Sequence, residues 1–135
     1  MSAIAFDIPE DIRAMRDGLR AFAEAEVLPR HEAYRDLFED QRRLYNENGR
    51  FSDELLQLIG EVRRAASKAG YYQMCVPEHL GGGGMGHLAY FVGWEELFRV
   101  CGPQNWLMLY AVSQFLLHIF ICFCKKRMSS ISSTS

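Results

Sequence analysis

Apolar residues recur every third or fourth position through most of this chain, and this spacing limits the possible folds more than any other feature of the sequence. Steps of three and four residues place side chains on one face of an α-helix, whereas a half-buried strand alternates apolar and polar positions. Residues 71–76 are too few and too mixed in character to found a sheet. We therefore predict an all-α fold, an antiparallel helical bundle. The first such series is Ile12, Met15, Leu19, Phe22 and Ala23.

Polar residues, glycine and proline mark the predicted ends of these helices. Asp7 is placed to cap the first helix, with Pro9 in its first turn, and Pro29 predicts a break or kink. A second helical segment is predicted over residues 31–46. Ser52 is expected to cap the next helix.

Three further boundaries follow along the chain. Gly70 is expected to end the helix that starts after Ser52, because glycine adopts the left-handed conformation without steric cost. Another helix is predicted up to Gly102, and residues 106–124, apolar nearly all round, predict a last one.

The distribution of charge restricts any chemistry that this chain could perform. No Asp or Glu follows Glu96, and the tail carries Lys125, Lys126 and Arg127. A carboxylate base must therefore come from the first 96 residues or from outside the chain. No basic stripe suited to nucleic acid is present.

The cysteines and the N-terminus indicate an intracellular, reducing compartment, without distinguishing cytoplasm, mitochondrion or peroxisome. The cysteines form no CxxC pair, and the first residues lack the basic and apolar regions of a signal peptide. We expect reduced, mostly buried thiols. They are Cys75, Cys101, Cys122 and Cys124.

Several possible sites are better explained by structure than by chemistry. Residues 81–86 formally fit the dinucleotide fingerprint GxGxxG, but no strand is predicted before them, which favours a tight glycine turn. His79 and His87 do not have a recognised metal-ligand spacing, so no metal site is predicted. Glu95 and Glu96 are adjacent on a helix and point about 100° apart, which favours a solvated face or a salt bridge over an acid–base pair.

Residues 106–124 allow two interpretations. This uncharged stretch of 19 residues would extend about 28 Å as a helix, close to the thickness of a bilayer core, and basic residues follow it. Ser113, Gln114 and His118 interrupt its middle, and helices buried in larger proteins are also apolar all round. A buried helix and a membrane anchor are both open at this point.

Five segments in order resemble the N-terminal α-helical domain of the acyl-CoA dehydrogenases. They are FAEAEVLP at residues 22–29, KAGYY at 68–72, VPEHLGG at 76–82, GMG at 84–86 and EELFR at 95–99. The resemblance covers roughly residues 6–113, and the order and spacing of the segments are more specific than any one of them.

The resemblance implies a function for a longer protein. Members of this family remove two hydrogens from acyl-CoA thioesters, with FAD as hydride acceptor, a glutamate base in most members and an electron-transfer acceptor as partner. Full-length members are homo-oligomers with a middle β-barrel and a C-terminal helical bundle, which provide most flavin and CoA contacts. The resemblance therefore implies no catalytic residue within this chain, and it leaves any cofactor-binding residue undefined.

The family's helical domain supplies one wall of the acyl-chain channel, largely from the helix after the EEL segment. By position, the resemblance makes Trp106, Leu109 and Tyr110 the candidate substrate-binding residues, although each could equally be an ordinary core residue. A bulky Trp106 in such a wall would favour short or unusual acyl groups.

The resemblance ends near Ser113, so we predict a helical domain over residues 1–113 and a divergent apolar, basic and serine-rich tail over 114–135. We expect a truncated chain that lacks activity alone. The alternatives are a non-enzymatic helical interaction domain, exposing the surface that otherwise packs on the barrel, and a tail-anchored membrane protein held through residues 106–124.

Overall fold

A computed structural model describes residues 7–112, and its regular structure is helical. Within these residues no strand is present, and a single antiparallel bridge joins Tyr45 to Phe51. The prediction of an all-α fold is confirmed. In chain order, the elements are α1 (Glu10–Phe22), a π-helical turn (Ala23–Val27), α2 (Leu28–Ala33), α3 (Arg35–Glu39), a 3₁₀-helix (Gln41–Leu44), α4 (Asp53–Ala69), a 3₁₀-helix (Glu78–Leu80), α5 (Gly86–Cys101) and a 3₁₀-helix (Trp106–Tyr110).

The start of α1 differs from the prediction. Pro9 occupies the position before the first turn, and no side chain caps that turn. Asp7 instead forms an ion pair with Arg13, at 3.1 Å. The predicted Asp7 cap is wrong because Asp7 lies two residues ahead of the cap position. Glu10 and Asp11 lie in the first turn, where their charges favour the positive end of the helix.

The chain stays helical through Pro29, where a break or kink was predicted, so no break occurs there. The π-helical turn lies immediately before α2, and Pro29 occupies the first turn of α2. A proline cannot donate its backbone nitrogen and crowds the carbonyl four residues earlier, so a widened turn ahead of it relieves this conflict. The buried Val27 side chain anchors that turn to the core.

The helix predicted over residues 31–46 is divided into shorter pieces. Tyr34 and Asp40 leave the helical conformation, with ψ angles of 29° and 98°. In this segment Tyr34 and Tyr45 are exposed, whereas Leu37 and Leu44 are buried. The polar and exposed positions between them cannot pack a continuous helix against the core.

Both predicted ends of α4 are confirmed. The Ser52 hydroxyl accepts the backbone N–H of Leu55 at 3.4 Å, and Gly70 ends the helix at a φ of 86°. Arg30 pairs with Glu61 on α4 at 3.3 Å, while the ring of Tyr71, just past the end of α4, packs at a tilt against Phe22 of α1, with centroids 5.5 Å apart. Helix α4 therefore runs opposite to the α1–α2 direction, as an antiparallel bundle requires.

One core joins the three long helices to the last 3₁₀-helix. Helix α1 packs along α5, and α4 packs against residues 106–110. Gly93 lets α5 approach closely, because a Cβ there would lie 3.2 Å from the Leu19 side chain. The largest fully buried side chains are Leu19, Leu44, Leu55, Leu97, Leu107, Met108, Val27, Val62 and Val112.

Between residues 7 and 112, no helix combines the length and the apolar character that crossing a membrane requires. Most of the predicted anchor, residues 113–124, lies outside the described residues, as does the predicted tail over 114–135.

Candidate functional site

The segment with the candidate substrate-binding residues begins at a buried asparagine. Asn105 is 2% exposed, and its side-chain Oδ1 accepts the backbone N–H groups of Leu107 at 3.1 Å and Met108 at 3.4 Å. This cap fixes the start of the last 3₁₀-helix against the core. Asn105 is not among the predicted caps, although an asparagine directly before an apolar run is the usual signal for such a cap.

The described part of the predicted last helix is a 3₁₀-helix, which changes how the candidate residues are arranged. An α-helix would place positions 106, 109 and 110 on one face. In a 3₁₀-helix, residues three apart eclipse one another, so Trp106 and Leu109 share one side while Tyr110 follows Leu107 on another. All three candidates are half-buried. The spacing of a 3₁₀-helix thus aligns Trp106 with Leu109 and sets Tyr110 apart from both.

Trp106 lines an open cleft of about 640 Å³. This volume lies within the range of pockets that hold small molecules. The cleft forms where the short helices of residues 31–41 face the loop after α5. Its lining mixes aromatic, amide and charged side chains: His31, Arg35, Phe38, Glu39, Gln41, Pro103, Gln104 and Trp106.

The histidine of this cleft has an unusual environment. The His31 ring stacks on Phe38, with centroids 4.6 Å apart and planes 21° apart. Its Nε2 atom is buried and has no hydrogen-bond partner among the described residues. Burial lowers the pKa of His31, chiefly because the charged imidazolium loses its hydration. The cleft therefore holds a neutral imidazole at physiological pH.

Tyr110 is covered by a side chain from α4. The guanidinium carbon of Arg63 lies 5.0 Å from the centroid of the Tyr110 ring, within the distance of a cation–π contact. Sequence reasoning did not identify Arg63, because nothing in the spacing of residues 63 and 110 indicates that the two meet.

The backbone N–H groups of the glycine loop are hydrogen-bonded to the segment just before it and are not available to a phosphate. The backbone N–H groups of residues 81–85 all donate to carbonyl oxygens of residues 73–78, at 2.9–3.2 Å. A phosphate cradle needs such N–H groups to be free. A Cβ on Gly82 would overlap the carbonyl oxygen of Val76, so the glycine there permits close backbone packing. The predicted tight glycine turn is confirmed, and within residues 7–112 this loop does not fit the pyrophosphate of FAD.

The adjacent glutamates have different environments. Glu96 is 4% exposed and accepts hydrogen bonds from Arg99 and from Arg20 of α1, whereas Glu95 is exposed. The hydrogen bond from Arg99 is the main cause that holds the pKa of Glu96 below its ordinary value. A carboxylate so stabilised in its charged form is a poor proton acceptor. Glu96 thus joins α1 to α5 through the predicted type of salt bridge, Glu95 lies on a solvated face, and the arrangement does not favour an acid–base pair.

The described thiols are poorly suited to nucleophilic chemistry. Cys75 is buried and Cys101 is half-buried, both are free, and burial raises the pKa of each to about 11. The nucleophilic thiolate is therefore scarce at neutral pH. Within residues 7–112, no three His, Cys, Asp or Glu side chains are grouped so that they could hold a metal ion.

Comparison with known proteins gives two matches. The family model described as "Acyl-CoA dehydrogenase, N-terminal domain" matches residues 9–124, a range that extends beyond Ser113. The chain is also 29% identical over 110 residues to the mitochondrial short-chain specific acyl-CoA dehydrogenase of Sus scrofa. This match covers 82% of the chain and 22% of the relative, so the chain spans about a fifth of that protein. No solved structure matches significantly.

Proposed function

We propose a function from one premise: the chain belongs to the acyl-CoA dehydrogenase family through its N-terminal domain. The chain would be the helical domain of an enzyme that oxidises acyl-CoA thioesters to their α,β-unsaturated forms. The whole enzyme would use FAD as hydride acceptor, pass electrons to an electron-transfer acceptor and form a homo-oligomer. A reducing intracellular compartment is proposed, consistent with the free thiols of Cys75 and Cys101.

The contribution proposed for this domain is a wall that contacts the acyl chain. The observation that carries it is the half-buried Trp106 beside an open cleft, on a segment that the Asn105 cap holds against the core. Leu109 and Tyr110 do not line this cleft. In the proposed wall, Leu109 would continue the side of the 3₁₀-helix that Trp106 begins, and Tyr110 would form the neighbouring part. Half-buried positions suit this role, because each side chain is both anchored and accessible.

Short acyl groups are the proposed substrates. Trp106 and Tyr110 bring two large rings into a segment of only five residues, which leaves little length for an acyl chain. The Sus scrofa relative is described as short-chain specific, which supports the same proposal.

The chain by itself is proposed to be inactive. Two observations support this: the N–H groups of the glycine loop are already bonded, and Glu96 is held in its charged form by two arginines. FAD binding and the base that takes the α-proton would then depend on other parts of a longer protein.

Saturation-transfer NMR on the purified chain tests the wall, because it detects weak binding. We expect saturation of the acyl protons of butyryl-CoA. The protons of free CoA, which has no acyl group, should not be saturated at the same concentration. Trp106→Ala should abolish the acyl signal, while Phe98→Ala, which removes an exposed ring of α5, should retain it. Equal acyl signals in the two variants would contradict the proposed wall.

The proposed inactivity has its own test. The purified chain should show no flavin absorbance and no oxidation of butyryl-CoA when FAD and an artificial electron acceptor are added. Tightly bound FAD together with turnover would refute the proposal.

A second candidate function, an interaction domain, is favoured by one surface of α5. Leu88, Phe91 and Phe98 are 50%, 68% and 45% exposed, and their spacing places them along one side of the helix. Such a side is typical of a surface that packs against another protein. Phe91→Ser should then reduce self-association in light scattering while leaving the butyryl-CoA signal unchanged. If the acyl signal is absent and partner-dependent solubility is found, this second function replaces the first.

The remaining alternative, a membrane anchor, depends on residues that the structure does not describe. Resistance of the chain to carbonate extraction from membranes, lost when residues 106–127 are deleted, would favour it.

A further inference from the structure

We infer that Arg63 is a positioning residue for the acyl wall, whose guanidinium holds the ring of Tyr110 in place and so limits the length of the acyl group. This inference rests on the proposed function, because it takes Tyr110 as part of the wall. Arg63 itself acts through Tyr110 and needs no contact with the substrate.

The first observation is where Arg63 is anchored. Helix α4 has a defined cap at Ser52 and a glycine stop at Gly70, and it packs against the 3₁₀-helix of residues 106–110. Arg63 lies on the third turn of α4, directly after the buried Val62, and is itself exposed, as is Arg64. The guanidinium is therefore carried by a long, well-packed helix, whereas Tyr110 ends a segment of five residues.

The second observation is the partner of Arg63. Seven arginines in residues 7–112 pair with carboxylates. Within the same residues Arg63 has no such ion pair, and its guanidinium lies over the Tyr110 ring instead. A flat guanidinium over the face of a tyrosine favours one orientation of the ring, because a rotated ring loses the contact.

The third observation is the position of Tyr110 along the 3₁₀-helix. The 3₁₀-helix places Tyr110 on a different side from Trp106 and Leu109. If the wall includes all three residues, Tyr110 closes it at one edge. Removal of Arg63 would let the ring turn away, and the edge would then admit a longer acyl chain.

The experiment compares Arg63→Gln with the neighbouring Arg64→Gln as the matched control, and with Arg63→Lys as the conservative variant. The first measurement is the chemical shift of the Tyr110 ring resonances in a chain that carries ¹³C-labelled tyrosine. These resonances are assigned as the ones that disappear in Tyr110→Phe. The second is the ratio of the affinities for octanoyl-CoA and butyryl-CoA, measured by NMR titration.

In Arg63→Gln we expect the Tyr110 resonances to shift and the octanoyl-to-butyryl affinity ratio to rise roughly two- to fivefold, the size expected for loss of one exposed cation–π contact. Arg64→Gln should change neither quantity, and Arg63→Lys should keep part of the original ratio. A purely structural role would lower the melting temperature and leave the ratio unchanged.

Two results would overturn the inference, and they are distinguishable. If wild type binds both thioesters and Arg63→Gln leaves the ratio unchanged, Arg63 does not determine acyl length while the proposed wall survives. If wild type binds neither thioester, the proposed function fails and the role of Arg63 in specificity fails with it, whatever the Tyr110 resonances show.

Discussion

The side of the molecule where α1 packs on α5 and the side that forms the cleft are built differently. On the α1–α5 side, long helices bury leucines completely, and the charge of Glu96 is paired with two arginines. On the cleft side, short helices meet a 3₁₀-helix, and the buried nitrogens His31 Nε2 and Asn105 Nδ2 have no partner among the described residues. On α5 the same is true of one nitrogen, Trp94 Nε1, so the two sides differ in packing and in the pairing of charge more than in this respect.

This difference indicates which side is available for function. Buried polar groups without partners cost free energy, and complete packing leaves no room for a ligand. The α1–α5 side therefore serves stability, while the cleft side retains the space and polar atoms that a binding site needs. Four substitutions test this difference between the two sides.

The largest effect is expected on the α1–α5 side. Leu19→Ala should lower the free energy of unfolding by about 3 kcal/mol, because Leu19 is 0% exposed and its removal leaves a cavity. Urea unfolding followed by circular dichroism measures the change. The control is Leu56→Ala on the exposed face of α4, which should change stability by less than about 0.5 kcal/mol. Equal losses in the two variants would show that this side is not closely packed.

The next effect concerns the buried charge. Glu96→Gln should cost about 2 kcal/mol at neutral pH, because it weakens charge-assisted hydrogen bonds from Arg20 and Arg99. The exposed neighbour makes a matched control, and Glu95→Gln should have little effect. Thermal unfolding of both variants beside wild type measures this.

The loss of stability in Glu96→Gln is expected to depend on pH. Since the folded pKa of Glu96 is lowered, its stabilisation is present above the ordinary glutamate pKa of about 4.3 and is lost as pH falls through the folded value. The stability difference between wild type and Glu96→Gln should therefore shrink in acid. A difference that stays constant down to about pH 2 would contradict the ion pair.

A smaller effect is expected at the start of the candidate wall. Asn105→Ala removes the cap of the last 3₁₀-helix and should cost about 1 kcal/mol. It should also weaken the butyryl-CoA signal, because Trp106 loses its fixed starting point. Gln104→Ala, at an exposed adjacent position, serves as control for stability. An unchanged acyl signal in Asn105→Ala would separate the cap from binding.

The smallest effect is expected at His31 and appears as a pH dependence. Its folded pKa is lowered, so the unfolded chain takes up a proton more readily and stability falls as pH drops through about 6.5. His31→Phe removes this uptake and the buried nitrogen without a partner. The melting temperature of the variant should therefore fall less than that of wild type between about pH 7.5 and about pH 5.5. An identical fall in both proteins would exclude His31 as the cause.

Much of the fold could be predicted from local sequence, because helix periodicity, a serine cap and a glycine stop act over a few residues. Ser52 and Gly70 bound α4 as predicted. The predicted Asp7 cap is wrong, and of the break or kink predicted at Pro29 the break is absent, because two local preferences competed at each position. At Asp7, a proline took the cap position, and at Pro29 a widened turn kept the chain helical.

The candidate site was less predictable. Trp106, Leu109 and Tyr110 were found through family resemblance, and helical spacing alone would have placed them on one face. The change to 3₁₀ geometry after Asn105 separates Tyr110 from the other two.

The helical class, the positions of the long helices and the family can be read from the residues alone, because they depend on residues close together in the chain or in a fixed order along it. The contact of Glu96 with Arg20, the cover of Arg63 over Tyr110 and the place of Trp106 beside a cleft arise only when the chain folds. The physical reason is distance along the chain: each of these contacts joins separate helices or segments, and local spacing carries no information about which side chains packing will bring together.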